Sequence, residues 1–241
     1  MRSVAELLDR PEPLRRSADT LAWSRFLPST RAEGPGLRSA LWVQGCSIRC
    51  PGCFNPHLWA EGGARTDPAQ LVASELVSRS LEAGVEGVTL LGGEPFDQAE
   101  ALAVVAAAFR AAGLTVMTFS GYTLDALSRW AEDRDDIAAL LGATDLLVDG
   151  PYLRDRPDRA RPWLGSTNQG IRALTPVYAT RVAAIEKAVE NAGGGTDSIE
   201  IRIGADGRVH VNGWADDAAL AALLDDLGPR VDGPRRKEKN R

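Results

Sequence analysis

Apolar residues along this chain fall into short blocks that alternate between two kinds of spacing. A strand-like block over 37–43 is followed by a loop rich in Gly, Cys and Pro over 45–56. Asp67-Pro68 predicts the opening of a helix, with Asp at the N-cap and Pro in the first turn, and Leu71, Val72, Leu76 and Val77 then recur at helical spacing. A buried-type strand over 87–91 ends in Gly92-Gly93-Glu94-Pro95. A helix over 97–112 carries Leu102, Val105 and Phe109 on one stripe, and a third strand over 114–119 stops at Ser120-Gly121. A helical region over 124–141 leads to a fourth strand, 145–148, closed by Asp149-Gly150-Pro151.

Strands that alternate with helices predict an α/β fold with a parallel sheet and right-handed crossovers. Sites in such folds form at the carboxyl ends of the strands, so the cysteine loop, Gly92-Gly93-Glu94-Pro95, Ser120-Gly121 and Asp149-Gly150-Pro151 are expected to face one rim. Beyond Pro151 the pattern changes. A polar loop runs to Gly165-Ser166-Thr167-Asn168-Gln169, a helix is expected over 180–191, and Gly193-Gly194-Gly195 reads as a linker. Strands over 199–203 and 208–211 around Ala205-Asp206-Gly207 form a hairpin signal ahead of a last helix over 216–227. The expected organisation is a core over 20–172, a helix and Gly linker over 173–195, and a small β-β-α appendage over 196–228. Residues 1–19 and 229–241 are expected to be loosely ordered ends.

With 241 residues, 44% hydrophobic and 25% charged, the chain can bury a full core. Its net charge of -5 is spread over mixed signs, with no basic stripe suited to a phosphate backbone, so nucleic acid is not an expected partner. The one basic run, Arg235-Arg236-Lys237, reads as a solvated end. No apolar stretch approaches the roughly 20 residues of a membrane span, and the first residues lack the apolar core of a signal peptide. The expectation is a cytoplasmic protein with no membrane partner.

All three cysteines fall within one eight-residue stretch. A disulfide scaffold would use an even number spread along the chain, so the clustering points to metal or redox chemistry in a reducing compartment. Cys46-x-x-x-Cys50-x-x-Cys53 offers three thiolates to a cubane iron–sulfur cluster that ordinarily takes four, which leaves one iron open to the amino and carboxylate groups of S-adenosylmethionine (SAM). Two other readings use the same residues: a Cys3His zinc site completed by His57, or three buried structural cysteines. Consecutive glycines at 92 and 93 allow close approach to the backbone and free amides to meet a ligand, and Glu94 can accept hydrogen bonds from an amine. Taken alone, the same residues make an ordinary strand-to-helix turn, just as Ser120-Gly121-Tyr122 makes a tight turn and Asp149 a helix cap. His210 reads as a surface strand residue and Trp42 as core.

The stretch Glu33-Gly34-Pro35-Gly36-Leu37-Arg38, with Trp42-Val43-Gln44-Gly45-Cys46-Ser47-Ile48-Arg49-Cys50-Pro51-Gly52-Cys53-Phe54-Asn55-Pro56, resembles the radical SAM activating enzymes of glycyl-radical proteins, most of all the activases of anaerobic ribonucleotide reductase. The resemblance runs over residues 20–172. It implies an incomplete TIM-like barrel, a 4Fe-4S cluster on Cys46, Cys50 and Cys53, and SAM contacts from Gly52, Cys53, Phe54, Asn55, Gly92, Gly93, Glu94, Ser120 and Asp149. It also implies a flavodoxin or ferredoxin electron donor and a glycyl-radical protein as partner. Many radical SAM loops carry an aromatic residue just before the last cysteine; here Gly52 stands there and Phe54 comes just after, and the ribonucleotide reductase activases likewise have Pro-Gly at this point. Two alternatives remain open at this point: a radical SAM enzyme acting directly on a peptide or small metabolite, and a non-catalytic cluster- or zinc-bearing adaptor.

Overall fold

The structure, a computed structural model, describes residues 11–17, 19–62, 64–190, 199–203 and 209–213, with the backbone alone for 190 and 209–211. The expected Gly193-Gly194-Gly195 linker, the hairpin tip at 204–208, the helix over 216–227, the chain ends over 1–10 and 229–241, and the side chain of His210 lie outside the described residues.

Seven strands form one sheet: β1 (Thr20–Thr30), β2 (Arg38–Val43), β3 (Arg65–Pro68), β4 (Gly87–Gly92), β5 (Thr115–Phe119), β6 (Leu146–Asp149) and β7 (Gly170–Ala173). Their order is β3-β1-β2-β4-β5-β6-β7. The four central strands β2, β4, β5 and β6 run parallel, as the pattern predicts. The edges differ, because β1 pairs antiparallel with both β2 and β3, and β7 pairs antiparallel with β6. The sheet is therefore mixed, with a parallel centre.

Four helices, α1 (Ala69–Glu82), α2 (Ala99–Ala111), α3 (Leu124–Trp130) and α4 (Asp135–Ala143), connect these strands. Strand order advances in one direction from β2 to β6, so crossovers of one hand place their helices on one face. The core confirms this, because Leu41, Val43, Val88, Leu90, Val116 and Leu147 pack with Val72, Leu76, Leu102, Val105, Phe109, Leu127, Ile137 and Leu140. Alternate residues Met117, Leu146 and Val148 point to the opposite face, where Tyr178, Val182 and Ile185 of α5 (Pro176–Glu190) cover part of it. What α5 leaves uncovered on that face becomes the cavity described below.

The expected helix start at Asp67-Pro68 lies one position early. Asp67 is in β3, where its carboxylate accepts from Trp23 Nε1 at 2.9 Å, and Pro68 itself is the N-cap of α1. The region over 124–141 divides into α3 and α4, with Asp133 and Arg134 between them. Arg134 is buried and holds Asp136, Glu12 and the carbonyl of Pro13, which ties the 11–17 segment to the body.

At the amino ends of the parallel strands lies a fully buried cation. Arg38 donates to Thr89 Oγ1 at 3.0 Å, to the Val88 carbonyl at 2.7 Å and to the Tyr178 hydroxyl at 2.7 Å, and it reaches Pro35 and Thr115 as well. The guanidinium N–H groups are spread over neutral acceptors from β4, β5, α5 and the turn before β2, while the charges of Glu86 and Asp145 also favour the cation. Past α5, β8 (Ile199–Ile203) and β9 (Val209–Gly213) form an antiparallel hairpin with Ile199 opposite Gly213. It docks on the turn that follows β1: Thr30 donates to Glu200, Arg202 reaches the Ser29 carbonyl, and the Gly213 amide donates to Glu33 Oε1 at 2.9 Å.

Candidate active site

The loop after β2 carries the cysteines, and polar side chains fix its path. Gln44 Nε2 donates to the carbonyls of His57 (3.2 Å) and Ala60 (2.7 Å), closing the base of the loop. Gln98 Nε2 donates in turn to the carbonyls of Gln44 and Ala22, both at 3.0 Å. The buried Asp97 carboxylate accepts from Ser47 N at 2.7 Å and Ser47 Oγ at 2.9 Å, holding the segment between Cys46 and Cys50. Tyr122 closes this group with a 2.9 Å hydroxyl–hydroxyl bond to Ser47.

Beside this loop runs the Gly92-Gly93-Glu94 turn, and the two approach so closely that side chains are excluded. A Cβ on Gly93 would lie 2.1 Å from the Gly45 carbonyl oxygen, and one on Gly92 2.6 Å from Val43 N. The amides expected to meet a ligand are taken within the chain, Gly93 N by the Val43 carbonyl and Glu94 N by the Gly45 carbonyl, both at 2.9 Å. The glycines therefore serve the contact between two loops, and that contact sets the position of Cys46.

Glu94 is 1% exposed. Its carboxylate accepts from Phe96 N (3.0 Å), Ser120 Oγ (2.9 Å) and Gly121 N (2.8 Å), so one side chain joins the ends of β4 and β5. Burial pushes the carboxyl up to about 8 and the nearby Asp97 charge adds to this, against the pull of the three donors. Burial likewise pushes the Cys46 thiol up to about 12, with the Glu94 charge adding to it. A metal cation would reverse that preference, because a coordinating thiol is deprotonated.

A cavity of about 300 Å³ opens along this rim and onto the uncovered sheet face. Of the residues predicted from the sequence, Cys46, Cys50, Cys53, Phe54, Asn55, Gly92, Gly93, Glu94 and Ser120 line it. Gly52 and Asp149 are not in its lining. Gly52, at φ +81°, packs against Arg154, and the Asp149 carboxylate accepts from Leu124 N at the start of α3 and from Arg172 Nε. Residues that sequence reasoning missed also line the cavity: Arg25, Glu33, Trp59, Tyr152, Trp163 and Asn212 among them. Gln169 links Gly165 and Ser166 to the Gly150 carbonyl, so the Gly165-to-Gln169 segment shapes the wall beyond β6.

Whether this set fits a cluster and an organic ligand can be judged from its donors. Three thiols from one loop reach one cavity, and the buried Trp59 Nε1 in its wall has no partner among the described residues. Glycines at 92, 93 and 121 let the turns pack closely against the cysteine loop. His57 is exposed and lies apart from the lining, and among the described residues no three His, Cys, Asp or Glu side chains converge on a single ion position. Three thiols on one loop facing one cavity are a donor set that a cubane, which takes each thiolate at a different iron, can use, and on that chemistry the residues fit the cluster.

Fold and site define an iron–sulfur protein, and residues 32–172 match the family described as the 4Fe-4S single cluster domain. The chain is similar to the anaerobic ribonucleoside-triphosphate reductase-activating protein of Vibrio cholerae, 31% identical over 160 residues that cover 64% of this chain and 98% of the relative. The protein of that name from Salmonella typhimurium is 28% identical over 164 residues (64% and 99%), and that from Enterobacteria phage T4 28% over 159 residues (64% and 94%). The chain belongs to this family of activating enzymes. Among the described residues no helix is long and apolar enough to cross a membrane.

Proposed function

We propose that the chain is a radical SAM enzyme whose core is an incomplete TIM-like barrel, and that it generates a radical on a partner polypeptide. The placement of helices α1 to α4 on one face, with a cavity on the other, supports the part-barrel reading. Cys46, Cys50 and Cys53 would hold the 4Fe-4S cluster, which in its reduced form supplies the electron that cleaves SAM to methionine and a 5'-deoxyadenosyl radical. The observation that carries this reading is the joint lining of one cavity by all three thiols and by Gly92, Gly93, Glu94 and Ser120.

The chain's own part is to bind and orient. Glu94 stands in the wall with three of its acceptor positions used, so one more is available for an ammonium group. Phe54 and Tyr152, with ring centroids 5.4 Å apart, form an apolar wall on the side of Cys53. Gly121 has no room for a side chain, since a Cβ there would lie 2.6 Å from Ile48 Cδ1, and this lets the turn after β5 pack directly on the cysteine loop. A flavodoxin or ferredoxin is the proposed reductant and a glycyl-radical enzyme the proposed partner, because the named relatives activate anaerobic ribonucleoside-triphosphate reductase. Asn212 and Gly213 add cavity lining from beyond the 32–172 stretch, which favours a second substrate of the same chemistry: a peptide modified directly within the cavity.

Anaerobic reconstitution with iron and sulfide, followed by SAM and dithionite, is expected to yield 5'-deoxyadenosine. Cys53→Ala is expected to abolish it. Stoichiometric zinc without SAM cleavage, or full product formation by the cysteine variant, would overturn the assignment.

A further inference from the structure

The cavity has two chemically different ends. Thiols and glycines line the rim at the carboxyl ends of the strands, whereas Glu33, Asn212 and Gly213 come from the turn after β1 and from β9; Arg25 and Trp42, in register with Leu91, lie next to the rim. The separation of the two ends can be read from the sheet. The Glu33 carbonyl accepts from Thr89 Oγ1, three residues before Gly92 on β4, and at about 3.3 Å per residue this places it roughly 10 Å back from the rim.

Asn212 is 3% exposed, and neither its side-chain nitrogen nor its side-chain oxygen has a partner among the described residues. Buried amides are almost always paired, so a donor and an acceptor left open side by side on a cavity wall point to a ligand. The side chain is held in place by its neighbours. Gly213 N is fixed to Glu33 Oε1, and the other strand of the hairpin is fixed to Ser29 and Thr30. A group that satisfies a primary amide at both atoms must present an acceptor and a donor along one edge. An extended polypeptide residue does so, since its N–H and C=O point the same way, as in the pairs that exchange two bonds across an antiparallel ladder.

We propose that Asn212 is a substrate-positioning residue, its Nδ2 donating to the carbonyl and its Oδ1 accepting from the amide of one residue in an extended polypeptide segment bound at the inner end of the cavity. This assignment rests on the reading that SAM occupies the rim end. Arg25, with its guanidinium carbon 4.9 Å from the centroid of the Trp42 ring, lines the same cavity, and Leu91 and Phe119 add apolar lining toward the rim. The hairpin thereby adds to the 4Fe-4S domain a clamp that recognises backbone atoms.

Because such a clamp ignores side chains, the blocked peptide acetyl-Gly-Gly-Gly-amide is a suitable probe. Its binding to the reconstituted full chain with SAM present can be followed by ligand-observed NMR, which reads weak affinities. Asn212→Ala is expected to weaken peptide binding about ten- to a hundredfold through loss of two hydrogen bonds. Asn212→Asp keeps the volume, and so the packing of the hairpin, but replaces the donor with a charged acceptor, and is expected to weaken binding at least as much. Equal peptide affinity in wild type and both variants, or no binding to wild type, overturns the proposal. Loss of SAM affinity in place of peptide affinity also overturns it, by assigning Asn212 to the donor–acceptor edge of adenine. Formation of 5'-deoxyadenosine by the wild type, measured separately, reports on the SAM reading and leaves the peptide measurement independent of turnover.

Discussion

Replacing Asp97 with alanine tests whether the cysteine loop is held from below by one carboxylate. In the wild type four donors converge on it: Leu14 N at 3.3 Å, Ser47 N at 2.7 Å, Ser47 Oγ at 2.9 Å and Tyr122 OH at 3.4 Å. Their losses are unequal. Ser47 Oγ and Tyr122 OH already bond to each other and keep that bond, and Leu14 is exposed, so its amide can turn to water. The cost concentrates on the Ser47 amide, whose short bond to a buried anion is worth about 1.5–3 kcal/mol. Removing the Asp97 charge also relieves Glu94, whose carboxyl that charge helps to raise. We therefore expect a net loss of about 2 kcal/mol in the metal-free protein, or about 1 M in urea midpoint at a typical slope of ~2 kcal/mol per M. The freed loop should also hold less iron per chain after reconstitution, and the titration of Glu94 should move down. An unchanged urea midpoint together with unchanged iron content would refute the claim that Asp97 sets the loop.

Further expectations follow from the same geometry. Glu94 is raised from 4.5 to about 8, so its neutral form is favoured by folding; the stability this confers is complete below about pH 4.5 and is lost as pH rises through about 8. At about 1.4 kcal/mol per unit the swing is on the order of 5 kcal/mol. Glu94→Gln should flatten this dependence in metal-free protein, as chemical denaturation at about pH 5 and about pH 8.5 would reveal; parallel pH profiles for both proteins would contradict it. Gly93→Ala forces a methyl to 2.1 Å from the Gly45 oxygen, so the two loops must separate. The expected result is a protein that folds but loads less than half the wild-type iron, measured per chain. Arg38→Ala strips partners from Thr89, Thr115, Val88 and Tyr178 and should cost about 3–5 kcal/mol in unfolding free energy. Arg38→Lys, which cannot span the same acceptors, should recover only a small part of it.

The central strands were legible because β4, β5 and β6 are short apolar runs closed by Gly or Ser, and each ends within one residue of its expected limit. β1 was not, although it is the longest strand, because register shifts between Trp23 and Arg25 and between Leu27 and Thr30 break the two-residue alternation on which such readings depend. β3 and β7 span four residues each, too few to show a period, and β3 is polar throughout. At the site, the cysteine spacing and the Gly-Gly-Glu turn were readable as local motifs. Asp97 and Gln98 looked like the start of a helix, and only the fold brings their side chains to Ser47 and Gln44. Glu33 and Gly213, which brings Asn212 with it, meet across 180 positions of chain, for which no local pattern exists.

Arg38 gives the sheet two unlike ends. Where its guanidinium fastens β2, β4 and β5 to α5, the strands cannot spread without stranding a charge away from water. At the opposite end the strands run out into turns bound to one another by carboxylates and amides. The assembly resembles a fan riveted at the handle, whose tips are joined only through side chains and turns. The amides of Val88 and Val116 are accordingly expected to exchange with solvent more slowly than those of Ser47 and Gly121, before and after loading.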